Sequence, residues 1–188
     1  MKLSGSYQIN LEKQKVWEAL NNPEILKKSI PGCEEFVKKS ETEFSATATN
    51  KIGPFNATFT GDIELKDLNP PNSYKIIGSG NSPVGFANGE ASVILEDFED
   101  GTNLKYSVEA NVGGKIAQVG SRLIDMTAKK MADIFFGKFS ELISVKTANT
   151  KIEETKKNKI STKKKPLNKI ILISSAIIIV GIILYYMR

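Results

Sequence analysis

The sequence predicts an α+β domain, a curved antiparallel sheet wrapped on a long C-terminal helix, followed by one transmembrane helix. Three observations predict it. Apolar and polar residues alternate from Glu34 to Val112, the period of half-buried strands. Ile116, Val119, Leu123, Thr127, Met131, Ile134 and Phe135 then recur at three- and four-residue steps, the period of a helix. Finally, an uncharged apolar run of 18 residues extends from Ile170 to Met187. At helical rise that run covers ~27 Å, close to the hydrocarbon thickness of a bilayer.

In chain order, Leu3, Gly5, Tyr7 and Ile9 alternate with polar neighbours and predict a first strand over residues 2–10. Asn10 is positioned to cap a helix over 12–21 that carries Val16, Trp17 and Leu20 on one face. Asn22-Pro23 ends it, and a short helix over 24–29 leads to the turn Ile30-Pro31-Gly32. Six strands follow, over 34–40, 43–51, 55–68, 73–79, 87–98 and 102–112, with Gly53-Pro54 and Asp100-Gly101 among the breaks. Short connections between them predict an antiparallel meander. Gly113-Gly114 releases the chain into a helix over 115–145, the one element long enough to cover the sheet.

Charge divides the chain. Residues 1–145 carry 16 Lys/Arg against 19 Asp/Glu, a net of −3, whereas residues 146–188 carry 10 against 2, a net of +8. A net-negative domain has no global electrostatic reason to hold nucleic acid. Residues 146–169 are rich in Lys, Thr and Asn and predict a basic flexible linker attracted to anionic lipid. Residues 170–187 predict a transmembrane tail anchor. Lysines before the span, against Arg188 alone after it, predict a single-pass protein of the cell membrane with a cytoplasmic N-terminal domain. The chain has no histidine and one cysteine, Cys33, which excludes Ser-His-Asp and Cys-His catalysis, an internal disulfide and the usual zinc sites. Tyr74, Tyr106, Glu90 and Asp125 are the candidate acids and bases for an enzymatic reading, and the spacing pairs none of them.

Small residues dominate the expected inner face: Ala46, Ala48, Ala57, Gly61, Ala87, Gly89 and Ala91. A sheet packed on a helix through such side chains leaves volume between them, unless the helix sits very close. Phe44, Phe55, Phe59, Phe86, Tyr106, Ile116, Val119 and Leu123 are the expected lining of that volume, with plain core packing as the competing reading. Residues 78–89 hold four glycines and predict a mobile lid at the cavity mouth, with Gly80, Pro83 and Gly85 as its marks. A long hairpin loop is the alternative. Arg122 is placed to pair with Asp125 three residues on, or to meet a ligand headgroup or a partner.

Particular stretches resemble a known family. Val16-Trp17-Glu18-Ala19-Leu20 with Asn22-Pro23, Ile30-Pro31-Gly32-Cys33, Lys51-Ile52-Gly53-Pro54-Phe55 and the block GGKIAQVGSRLI over 113–124 are similar to the CoxG family, named for a subunit of carbon monoxide dehydrogenase. That family lies within the START-like, or SRPBCC, superfamily, and the resemblance covers about residues 1–143. It implies a helix-grip fold and a non-catalytic accessory protein with no cofactor of its own. Its partner would be a molybdenum hydroxylase of the carbon monoxide dehydrogenase type, recruited to the inner face of the membrane. A hydrophobic small molecule, with an isoprenoid quinone or a lipid foremost, is the implied passenger. A pure tether without ligand, or a general START-like binder of small hydrophobes, remains the alternative.

Overall fold

In the computed structural model, the backbone of residues 1–158 and the side chains of residues 1–144 are described. The expected transmembrane helix at 170–187 lies outside the described residues. Among those described, no helix is long and apolar enough to cross a membrane. The chain divides into two units, Met1–Asn149 and Thr150–Arg188.

Strand β1 (Lys2–Ile9) leads to helices α1 (Lys13–Leu20) and α2 (Pro23–Ser29). Strands β2 (Cys33–Lys38), β3 (Glu43–Ile52), β4 (Phe55–Asn69), β5 (Ser73–Ser82), β6 (Gly85–Phe98) and β7 (Gly101–Gly113) follow. A 3-10 turn over Lys115–Val119 then precedes helix α3 (Ser121–Asn158). The seven strands form one antiparallel sheet in the order β1-β7-β6-β5-β4-β3-β2. Because β1 and β2 occupy opposite edges, α1 and α2 must cross the sheet between them. They carry buried Val16, Trp17, Leu20 and Ile25 into the core.

Local chemistry sets the helix starts. Asn22, not Asn10, is the side-chain cap: its Oδ1 accepts from the backbone N–H of Glu24 at 3.0 Å and of Ile25 at 3.2 Å. Pro23 fits the first turn of α2 because its missing N–H has no partner there anyway. Helix α1 begins at Lys13 without a side-chain cap. The helix expected from residue 115 is broken at Gly120, whose φ of +88° is left-handed, so Ile116 and Val119 lie on the turn and not on α3. Phe136, Phe139 and Ile143 pin α3 to the core, with Phe139 fully buried. Tyr7 of β1 donates from its hydroxyl to Asp133 of α3 and stacks on Phe136, with ring centroids 4.1 Å apart.

The Gly-rich stretch 78–89 is neither lid nor long loop. Gly78 to Ser82 and Gly85 to Gly89 are paired rungs of the β5–β6 ladder, joined by a tight turn at Pro83-Val84. The ladder needs backbone groups alone, so glycine and serine do not break it. Ser82 Oγ donates to the Gly85 carbonyl at 3.0 Å and accepts from Val84 N–H at 3.3 Å. The Ile116 N–H donates to the Val84 carbonyl at 2.9 Å and holds the hairpin tip against the 3-10 turn. Gly80, Pro83 and Gly85 are therefore parts of a fastened hairpin.

Candidate functional site: an apolar cavity under the long helix

Between the inner face of the sheet and α3 lies a cavity of about 470 Å³. Its walls are Leu26, Ile30 and Pro31 from α2 and the turn after it, Phe36 and Phe44 from β2 and β3, and Met131, Phe135 and Phe136 from α3. Its floor is built by Ile63, Ile76, Ala91, Val93, Tyr106 and Val108. The register explains the space. Ala91 lies opposite Ile76 and Val108, and the next inner rung runs Ile63, Gly78, Gly89, Ala110. Alanine and glycine on a concave sheet leave the helix without side chains to interlock with. The volume falls within the range of small-molecule sites.

The lining side chains are uncharged. The polar ones are Tyr74, Tyr106 and Asn50, and Asn50 Nδ2 donates to the Pro31 carbonyl at 3.2 Å. Met1 also borders the space, and its ammonium group donates to the Ala110 carbonyl at 2.8 Å. Tyr74 is 5% exposed and meets Trp17 edge-on, with centroids 5.3 Å apart. Burial pushes its phenol well above the ordinary tyrosine range. Tyr106 is also raised, by burial first and by the nearby Asp133 carboxylate second. It fits because its paired residue is Gly5, where a β-carbon would sit 2.8 Å from the Tyr106 hydroxyl. Among the described residues, no cluster of three or more carboxylate, thiol or imidazole groups is arranged to hold a metal ion.

Of the residues expected to line the space, Phe44 and Tyr106 border it. Phe55 at the hairpin end of the β3–β4 ladder and Phe59 in its middle are half-buried and lie outside the lining. Phe86 points the other way. It is paired with Gly113 and lies over it on the outer face, 38% exposed, because Ala87 and not Phe86 shares the inner parity of β6. Ile116 is buried against Gly85, where a β-carbon would meet it at 2.7 Å. Val119 and Leu123 flank Gly53, 3.2 and 3.1 Å from a β-carbon built there. These three close the end of the grip and leave the cavity wall to others. Arg122 is exposed and does not pair with Asp125, whose Oδ1 is occluded without a hydrogen-bond partner.

Sequence reasoning misses chiefly the lining residues of α2, of β2 and of the first half of α3. Their apolar spacing is legible, but the direction in which α2 faces follows from its crossing of the sheet. A second depression, of about 1000 Å³, crosses the outer face of the sheet. The chain register aligns Glu43, Glu64, Ile77, Glu90 and Glu109 along it. Lys2 bridges Glu109 at 2.7 Å and Lys39 bridges Asp62 at 2.6 Å.

The chain matches the family model for CoxG, a carbon monoxide dehydrogenase subunit, over residues 5–144. It belongs to the CoxG family. The match takes in strands β2 to β7, the closing turn and all of the cavity lining but Met1 and Leu3. No curated protein sequence matches the chain. Among solved structures, this CoxG-family chain is similar to a conserved protein from Geobacillus kaustophilus, at 32% identity over 77% of this chain and 95% of that one, with a TM-score of 0.73. Protein Ms6760 from Mycobacterium smegmatis aligns at 14% identity over 77% and 92% of the two chains, with a TM-score of 0.59. The ZhuI aromatase/cyclase from Streptomyces sp. R1128 aligns at 10% identity over 77% and 93%, with a TM-score of 0.54. The last two share the fold alone, and that fold is the START-like helix grip.

Proposed function

We propose that this CoxG-family chain is a non-catalytic, membrane-anchored accessory protein that binds a hydrophobic molecule such as a quinone or lipid and recruits a molybdenum hydroxylase of the carbon monoxide dehydrogenase type to the cytoplasmic face of the membrane. The observation that carries the reading is the cavity of about 470 Å³ with its apolar lining and no charged side chain. Such a space offers nothing to hold an ionic substrate and suits a water-insoluble one. The partner class is taken from the name of the family. The membrane setting is taken from the basic segment 146–169 and the apolar run 170–187. Anchoring would keep the domain within linker reach of lipid, which raises the effective concentration of a lipid-borne ligand without any new contact. The cavity would shield that ligand between bilayer and enzyme.

The test is extraction and mass spectrometry of the full chain purified from membranes. A quinone or lipid retained at near-stoichiometric level is the expected result. A chain that is consistently empty and fails to take up added quinone would leave a tether without a passenger. Recruitment has a separate readout, namely dehydrogenase activity in the membrane fraction. It should fall when residues 146–188 are deleted and should be indifferent to ligand occupancy if tethering is all the chain does.

A further inference from the structure

Tyr74 is 5% exposed and borders the cavity, yet its hydroxyl makes no hydrogen bond to any described residue. Buried tyrosines usually find a partner, because a buried hydroxyl left unpaired loses its hydrogen bonds to water without replacement. The side-chain polar atom that is wholly occluded without a partner, among the described residues, is Asp125 Oδ1. The Tyr74 hydroxyl is not among such sealed atoms, and Tyr74 is one of the residues that line the cavity. Val93, its paired residue across the ladder, offers neither a donor nor an acceptor side chain. A phenylalanine would pack against Trp17 equally well, so the packing does not account for the oxygen.

Resting on the cavity reading above, we infer that Tyr74 is the polar anchor of the site and donates a hydrogen bond to a carbonyl or ether oxygen of an uncharged, otherwise apolar ligand. Burial holds the phenol in its protonated, donating form through the neutral range. The rest of the lining disfavours the charged alternative. With no cationic side chain facing the cavity, a carboxylate or phosphate would be desolvated without compensation. The Met1 ammonium is already engaged by the Ala110 carbonyl. Tyr106, whose hydroxyl packs over Gly5, and Asn50, already bonded to Pro31, contribute further polar points and no charge.

The experiment uses the full chain in nanodiscs of neutral lipid, titrated with decyl-1,4-benzoquinone while the emission of Trp17, the sole tryptophan, is followed. Decylbenzene and decanoate at pH 8 serve as competitors. The first keeps the body without an acceptor, and the second replaces the acceptor by a charge. Tyr74→Phe should weaken the quinone about 5–10-fold, as loss of one hydrogen bond requires, and leave decylbenzene competition unchanged. Wild-type chain should hold the quinone at least about 5-fold more tightly than decylbenzene, which reads the same contact with no substitution. Decanoate should not compete. Quinone affinity equal in wild type and variant, or equal to that of decylbenzene on the wild type, would overturn the assignment of Tyr74 while the cavity still binds. Competition by decanoate as strong as that of decylbenzene would overturn the uncharged class. No quenching in either chain would remove the cavity reading itself.

Discussion

Substituting Ala91 by leucine tests whether the cavity is a space or a tightly packed interior. Ala91 borders it from β6, opposite Ile76 and Val108. Leucine adds three carbons. If they enter empty apolar volume, burial contributes up to ~2.4 kcal/mol at ~0.8 kcal/mol per carbon. Fixing the new rotamer costs ~0.5–1 kcal/mol, which leaves ~1.5 kcal/mol of net stabilisation. The volume of about 470 Å³ accommodates the addition many times over. Were the interior closely packed, the same three carbons would force strain and cost ~1–3 kcal/mol. The two pictures therefore differ in sign. Urea unfolding followed by Trp17 emission reads it directly, as a midpoint shift at unchanged slope. A destabilised Ala91→Leu chain would refute the cavity argument from small inner residues. The stabilised variant should also bind decylquinone more weakly, because its side chain occupies ligand space.

Gly32 stands at φ +67°, and a β-carbon there would lie 2.0 Å from the Thr49 carbonyl oxygen. Gly32→Ala should therefore cost at least ~2 kcal/mol through left-handed strain plus displacement of β3, measured by chemical denaturation. High pH should unfold the domain. Tyr7 and Tyr74 are both raised, each by burial first and Tyr7 also by its bond to Asp133. Above the ordinary tyrosine range near ~10 the unfolded chain has released these protons while the folded chain retains them. Stability is then fully present below that point and lost as pH rises toward the folded values. Phenolate absorbance should accordingly appear together with loss of the Trp17 environment, and titration of all five tyrosines in a still-folded chain would contradict it.

The strand alternation and the helical period are legible because each reflects one face of an element meeting the core. Leu3, Gly5, Tyr7 and Ile9 are half-buried or buried as their spacing implies, and of the small inner residues of β6 Ala91 borders the cavity. Phe86 is illegible as an outer residue as long as the Gly-rich ends of β5 and β6 read as loop. Once the ladder runs through Ser82 and Gly85, parity alone sends its ring outward. The start of α3 is hidden for a similar reason. Gly120 reads as a tolerable helical glycine until its left-handed backbone is seen.

Composition and periodicity by themselves determined the class of fold, the net-negative domain, the basic segment, and the absence of histidine chemistry. These are properties of single elements or of sums over residues, and no partner is needed to define them. The tertiary structure alone decided which aromatics face the cavity, that the Gly-rich hairpin is fastened by Ile116, and that Tyr74 keeps an unspent hydroxyl there. Those depend on strand register and on the path of α1 and α2 across the sheet. A shift of one residue in register turns every side chain to the opposite face.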